Sequence, residues 1–302
     1  MQKHLLIQRY FALGLCMLLL VVSCNTPRGN EKEDVAGDVT FSEAEQKLIS
    51  DISKVISDLP PPSIVPNTLK KLGSEYDPDL VNSIGKIEEY QTDEDKAAMN
   101  LGVYATDVGY QVAYSQVEES LSHMEALQRL AETVGVSTAF DISLMEKYEQ
   151  SMNNPDSLSS LLNNTMLLAE QRLESSDRLA MAGLVLTGSF VEGLYLVVRI
   201  SEDYHGDNLT EQERNEKLQP LVKIILDQRQ PLTDVIELMK DIPNHDGVLS
   251  MISELEILKV LYDSDLKEIE EAMNGDANYV IAPSMLRNIT SEVKRIRAAI
   301  VG

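Results

Sequence analysis

From Ser42 to the end of the chain, apolar residues return every three or four positions, and no run alternates apolar with polar residues as a half-buried strand does. A chain patterned in this way can bury its apolar surface only by packing helix on helix. The expected fold is therefore all-α, a multi-helix bundle of roughly eight to ten helices. No repeat of fixed period is visible, so a solenoid array is not expected.

Start and stop signals divide the pattern. Ser42-Glu43-Ala44-Glu45 reads as a capping box ahead of a stripe of Leu48, Ile52, Val55 and Leu59, and Pro60-Pro61-Pro62 stops it. A short helix is expected around Thr68–Leu72 and another from Pro78 to about Tyr90. Thr92-Asp93-Glu94-Asp95 opens a long helix expected to reach about Thr133, with Gly135 as its stop. Further helices are expected at 141–152, 156–175 and 178–204. Thr210-Glu211-Gln212-Glu213 is a second capping box, opening a helix over 211–228, and shorter turns run from Leu232 to Lys240. Two amphipathic helices close the chain. One carries Ile252, Leu255, Leu258, Tyr262, Leu266, Ile269 and Met273; the other carries Leu286, Ile289, Val293, Ile296 and Ile300.

Trp is absent and there are only 4 Phe, so the core must be aliphatic, with Tyr and Met as its bulky members. The stretch near 178–204 is the most apolar of this region and long enough to span a bilayer. Glu192 interrupts it, however, and an intramembrane carboxylate is costly. A central helix buried on nearly all sides is the expected reading, and its Gly183, Gly188 and Gly193 would let neighbours approach closely.

The N-terminus follows a different logic. Lys3 and Arg9 precede an uncharged apolar run from Tyr10 to Val22, which suits a signal-peptide core better than a membrane span. The run ends Val21-Val22-Ser23-Cys24, which resembles the lipobox of bacterial lipoproteins. The resemblance implies cleavage before Cys24, lipidation of its thiol and acylation of the freed amine; several acyl chains together anchor stably where one does not. The expected organisation is a signal peptide over 1–23, a lipidated Cys24 and polar tether over 24–40, and one helical domain over 41–302. Location in the cell envelope follows, at the outer rather than the inner membrane, with the periplasmic or surface face left open. Cys16 leaves with the signal and Cys24 is acylated, so the mature domain holds no disulfide and no nucleophilic thiol.

Charge narrows the partners. Of 26 basic residues, Lys3 and Arg9 leave with residues 1–23, so 24 face 49 acidic residues and the net charge is −25. Such a surface excludes electrostatic binding of nucleic acid. It would attract cations or a basic partner, although solvation alone accounts for an acidic surface.

Lys96 to Tyr114 contains Asn100-Leu101-Gly102-Val103-Tyr104, then Asp107 and Tyr110. This resembles an NLGVYxxDxxY segment of uncharacterised all-helical lipoproteins from Bacteroidota, and Leu184 to Tyr195 resembles a second segment of that family. The resemblance, over about 70–205, implies a helical fold and a lipid anchor and brings no activity with it. Read physically, Val103, Asp107, Tyr110, Tyr114, Val117, Leu121 and Met124 lie at alternating spacings of four and three, which puts Asp107 on an apolar, tyrosine-rich stripe. A buried carboxylate needs a partner. Asp107, Tyr104, Tyr110, Tyr114, Glu192, Tyr195 and Arg199 are therefore the candidate residues for a polar pocket or a buried polar network, with Arg199 as the expected cation.

Catalytic signatures are missing. His123, His205 and His245 are too scattered for a metal motif, and no nucleophile elbow, phosphate-binding loop, dinucleotide fingerprint or calcium loop is present. No cofactor or metal is expected. The leading expectation is a non-enzymatic binding module, tethered to a membrane through Cys24, for a small ligand or an envelope protein. Two alternatives stay open: an enzyme with a carboxylate pocket around Asp107 and Glu192, and a structural or assembly factor of the envelope.

Overall fold

The computed structural model describes residues 60–175, 178–204, 209–276 and 279–302. All of these fall in one compact unit, Gln46–Gly302. Cys24, the tether and the stripe from Leu48 to Leu59 lie outside the described residues, as does His205. Among the described residues the fold is all-α, and no strand is present.

The helices are α1 (Ile64–Lys71), α2 (Ile87–Tyr90), α3 (Glu94–Ala113), α4 (Val117–Val134), α5 (Ile142–Gln150) and α6 (Pro155–Ser175), followed by α7 (Leu179–Asp203), α8 (Glu211–Asp227), α9 (Arg229–Asp241), α10 (Asp246–Asp263), α11 (Asp265–Gly275) and α12 (Arg287–Val301). Several boundaries follow from capping chemistry. The Asp93 carboxylate accepts from the Lys96 amide and opens α3. Gly135, at φ 82°, closes α4 in the left-handed conformation. Thr210 and Glu213 form the reciprocal capping box of α8.

Two expected helices are each divided. The helix expected from Thr92 to about Thr133 is α3 and α4, folded against one another. Ser115 adopts φ 63°, a left-handed turn that reverses the chain between them. The last two turns of the expected Tyr-rich stripe therefore belong to a different helix. Likewise the stripe from Ile252 to Met273 breaks at Ser264, whose ψ of −92° separates α10 from α11. Between Pro78 and Tyr90 the chain forms two 3-10 turns, Pro78–Leu80 and Ile84–Lys86, and only then the short α2.

Helices α3 and α7 form the centre and pack closely along their length. Gly102 and Gly188 make this approach feasible. A Cβ on Gly188 would overlap the Met99 carbonyl, and one on Gly102 would overlap that of Val185. Helix α7 is long and apolar enough to cross a membrane, yet 83% of its most apolar window is buried by the surrounding helices. The core is aliphatic, with Tyr90, Tyr104, Tyr110, Tyr148 and Tyr262 as its large members. Helix α12 docks across α3, α7 and α10, and this docking builds the site described next.

Candidate functional site

On α3 the spacing 100, 104, 107 places Asn100, Tyr104 and Asp107 along one face. Helix α7 presents Glu192 and Tyr195 to the same region, and α12 inserts Arg297. Asp107 and Glu192 are both 0% exposed. The Arg297 guanidinium grips Glu192 with two parallel bonds, Nε to Oε2 at 2.8 Å and Nη2 to Oε1 at 3.0 Å. Its flat face lies over the Tyr195 ring, 4.2 Å from the centroid.

Two carboxyls and one guanidinium leave one negative charge too many unless a proton is held. Burial, and then the charge of Glu192, push the Asp107 pKa well above the usual carboxylate range. Oδ2 of Asp107 accepts from the Asn82 amide at 3.0 Å, while Oδ1 meets no donor. A protonated Asp107 resolves this, since it can donate to Glu192. Burial also raises Glu192, but Arg297 and the Asp107 hydrogen bond oppose that effect. Burial works against the charge of Arg297, and Glu192 overcomes it, holding the guanidinium above its ordinary value. The cluster is thus neutral overall: a carboxylic acid, a carboxylate and a guanidinium.

A ring of hydrogen bonds encloses it. The Tyr104 hydroxyl donates to the Ser83 carbonyl at 2.7 Å, and the Tyr90 hydroxyl donates to the Val301 carbonyl at 2.9 Å. Asn100 donates to the Ile300 carbonyl at 3.1 Å, and the Lys86 ammonium donates to the Val301 carbonyl at 2.9 Å. The His123 imidazole spans the Asn82 carbonyl and the Gln111 amide, each at 3.1 Å. Asn82 thereby links the Asp107 cluster to His123. The carbonyls at the end of α12, which have no partner within the helix, are satisfied by α2 and α3.

Of the residues nominated from sequence, Asp107, Glu192, Tyr104 and Tyr195 come together here. Tyr110 and Tyr114 do not. They form a separate aromatic group with Tyr76, at centroid distances of 5.2 Å (Tyr76–Tyr110) and 4.9 Å (Tyr110–Tyr114). There the Tyr110 hydroxyl accepts from the Asp77 amide at 2.9 Å, and burial pushes its pKa to about 12. Arg199 lies beside Tyr195 but is paired with Glu202 and is not the partner of either buried carboxyl. It shares a helix face with Glu192, but seven residues of helix separate them by about 10 Å along the axis. The cation of the cluster is Arg297. Its signal in the sequence was its place on the inward stripe of α12, four residues after Val293 and three before Ile300.

Open space lies on another side of α7. A cavity of about 270 Å³ separates α6 from α7 and is lined by Asn163, Met166, Glu170, Leu186, Phe190 and neighbouring residues. Asp107 and Glu192 do not reach it. Among the described residues no group of three or more His, Cys, Asp or Glu is arranged to hold a metal ion. Compared with known proteins, the chain matches no family model, no curated protein and no solved structure.

Proposed function

We propose that this chain is a lipid-anchored protein of the bacterial envelope whose helical domain acts by binding rather than by catalysis. The anchor rests on the Val21-Val22-Ser23-Cys24 lipobox at the end of an apolar signal core. The non-catalytic reading rests chiefly on the sealing of Asp107 and Glu192. Both are fully buried, and their charge is already balanced by Arg297 and a held proton. Groups so enclosed hold α3, α7 and α12 in register and present nothing to a substrate.

The anchor is tested by expressing the full chain in a diderm bacterium and analysing the N-terminal peptide by mass spectrometry. An acylated Cys24 at the mature N-terminus is expected, together with release from the membrane fraction in Cys24→Ser. An unmodified Cys24, or a membrane-bound Cys24→Ser protein, would overturn it. The binding reading fails if a broad substrate screen finds turnover that Asp107→Asn or Glu192→Gln abolishes without loss of fold.

One observation favours a second reading, an assembly factor that holds another envelope protein. Leu249, Ile257 and Val260 share one face of α10 and are 49%, 50% and 63% exposed. Cross-linking in cells, compared with an Ile257→Glu, Val260→Glu variant, tests it. A protein adduct lost only in the variant is the expected result of that reading.

A further inference from the structure

The cavity between α6 and α7 has an apolar wall and an acidic end. Met166, Leu186, Phe190 and Val65 provide the apolar surface. Asn163 and Glu170 are seven residues apart, so they project from the same face of α6 into the cavity. Glu170 is only 8% exposed, yet its carboxyl has no hydrogen bond and no ion pair among the described residues. Oδ1 of Asn163 is buried and likewise has no donor.

Three of the donors nearby are engaged, and the exposed Asn164 also lines the cavity. The Asn163 amide donates to the Ser63 hydroxyl at 2.9 Å, the Ser189 hydroxyl to the Gly102 carbonyl at 3.1 Å, and the Gln228 amide to the Ile224 carbonyl at 3.4 Å. The cavity therefore offers acceptors, one of them ionisable, to whatever enters. Buried acceptors without donors are costly, and an apolar pocket with a few convergent polar groups is the usual form of a small-molecule site.

We propose that this cavity binds a compact organic ammonium ion, with Glu170 as its counter-ion, Asn163 as a second acceptor and the apolar wall holding the ligand's body. The volume, about 270 Å³, lies just under the usual range for ligand pockets, which suits a small amine and is too little for a lipid chain with its headgroup. Burial, and then the neighbouring Glu174, push the Glu170 carboxyl up to about 8, so an incoming cation replaces a proton as the neutralising charge. An inorganic cation would leave the apolar wall unused. The acidic surface of the domain would also raise the local concentration of cations. This assignment rests on the binding reading above and is independent of the lipid anchor.

The test uses the full-length protein in detergent and three probes of one shape: phenethylammonium, 2-phenylethanol and phenylacetate, measured by calorimetry. Phenethylammonium is expected to bind about tenfold or more tightly than the alcohol, and phenylacetate more weakly than either. Glu170→Gln is expected to reduce the ammonium to the affinity of the alcohol. Leu167→Lys places an ammonium one turn away on the same helix and is expected to block the amine while raising thermal stability. Equal affinity for ammonium and alcohol, absence of binding by all three, or a preference that survives Glu170→Gln would each overturn the proposal. Chemical conversion of a bound amine would defeat the non-catalytic reading and leave the site standing.

Discussion

Replacing Arg297 with Met keeps much of the side chain's volume and removes its charge. Glu192 then sits 0% exposed without a cation. It can escape only by taking up a proton, which limits the damage. In the unfolded chain Glu192 titrates near its ordinary value of 4.5. Holding it neutral at pH 7 therefore costs about 3.4 kcal/mol, at 1.36 kcal/mol per unit. Loss of the cation–π contact with Tyr195 adds roughly 0.5–2 kcal/mol. A loss of about 4 kcal/mol at pH 7 is expected, within the range for breaking a buried ion pair. The sign with pH follows. In the variant the folded state binds the extra proton, so stability falls as pH rises above 4.5, and the penalty shrinks to about 1–2 kcal/mol at pH 5. Removing the carboxylate too, in Glu192→Gln with Arg297→Met, is expected to recover all but about 1 kcal/mol at pH 7. Asp107→Asn mimics the protonated acid without the proton that the folded state must take up, so it is expected to stabilise the protein at pH 7, by less as pH falls towards the ordinary carboxylate range. Urea unfolding followed by circular dichroism at pH 5 and pH 7 measures the three variants against the parent. A pH-independent penalty, or a double variant as weak as Arg297→Met, would refute the neutral-cluster reasoning.

Three further outcomes are expected. With the Glu170 carboxyl at about 8 when folded and 4.5 when unfolded, stability should fall as pH rises from 4.5 to 8. Glu170→Gln should flatten that part of the pH profile and stabilise the protein at pH 7 by about 2–3 kcal/mol, measured by urea titration across pH. Gly188→Ala should cost about 1–3 kcal/mol or more because its Cβ meets the Met99 backbone, whereas Gly193→Ala, with Val65 Cγ2 at 3.7 Å, should be tolerated; paired thermal melts distinguish them. Thr210→Ala removes half of the capping box and should cost about 1 kcal/mol, with faster amide exchange confined to the first turn of α8.

Much of this fold was legible because helix signals are local. Asp93, Gly135 and Thr210 each mark a boundary by chemistry that involves only neighbouring residues. The burial of Asp107 and Glu192 was legible too, since each interrupts an apolar pattern. The break at Ser115 was not, for neither Gly nor Pro marks it, and Tyr114 to Val117 keeps the three-residue spacing across the turn. The break at Ser264 is hidden in the same way by the four residues from Tyr262 to Leu266. Arg297 escaped notice because Val293, Ile296 and Ile300 suffice to define the stripe without it. Pairing Arg297 with Glu192 spans 105 residues, and no local pattern encodes a contact of that range. Glu170 was obscured by Ala169 beside it, which alone satisfies the apolar period of α6.

The Arg297 clamp also bears on the order in which this chain can mature. Helices α3 and α7 bring two carboxyl groups into the interior long before α12 has been synthesised. Until Arg297 arrives, that interior holds an uncompensated acid pair, and the tight α3–α7 crossing must remain partly open or partly protonated. A nascent chain that stops short of α12 is thus left with an electrostatic fault at its centre, a state prone to recognition by chaperones and proteases. The same contact that registers three helices makes the α3–α7 crossing depend on a residue 105 positions beyond Glu192.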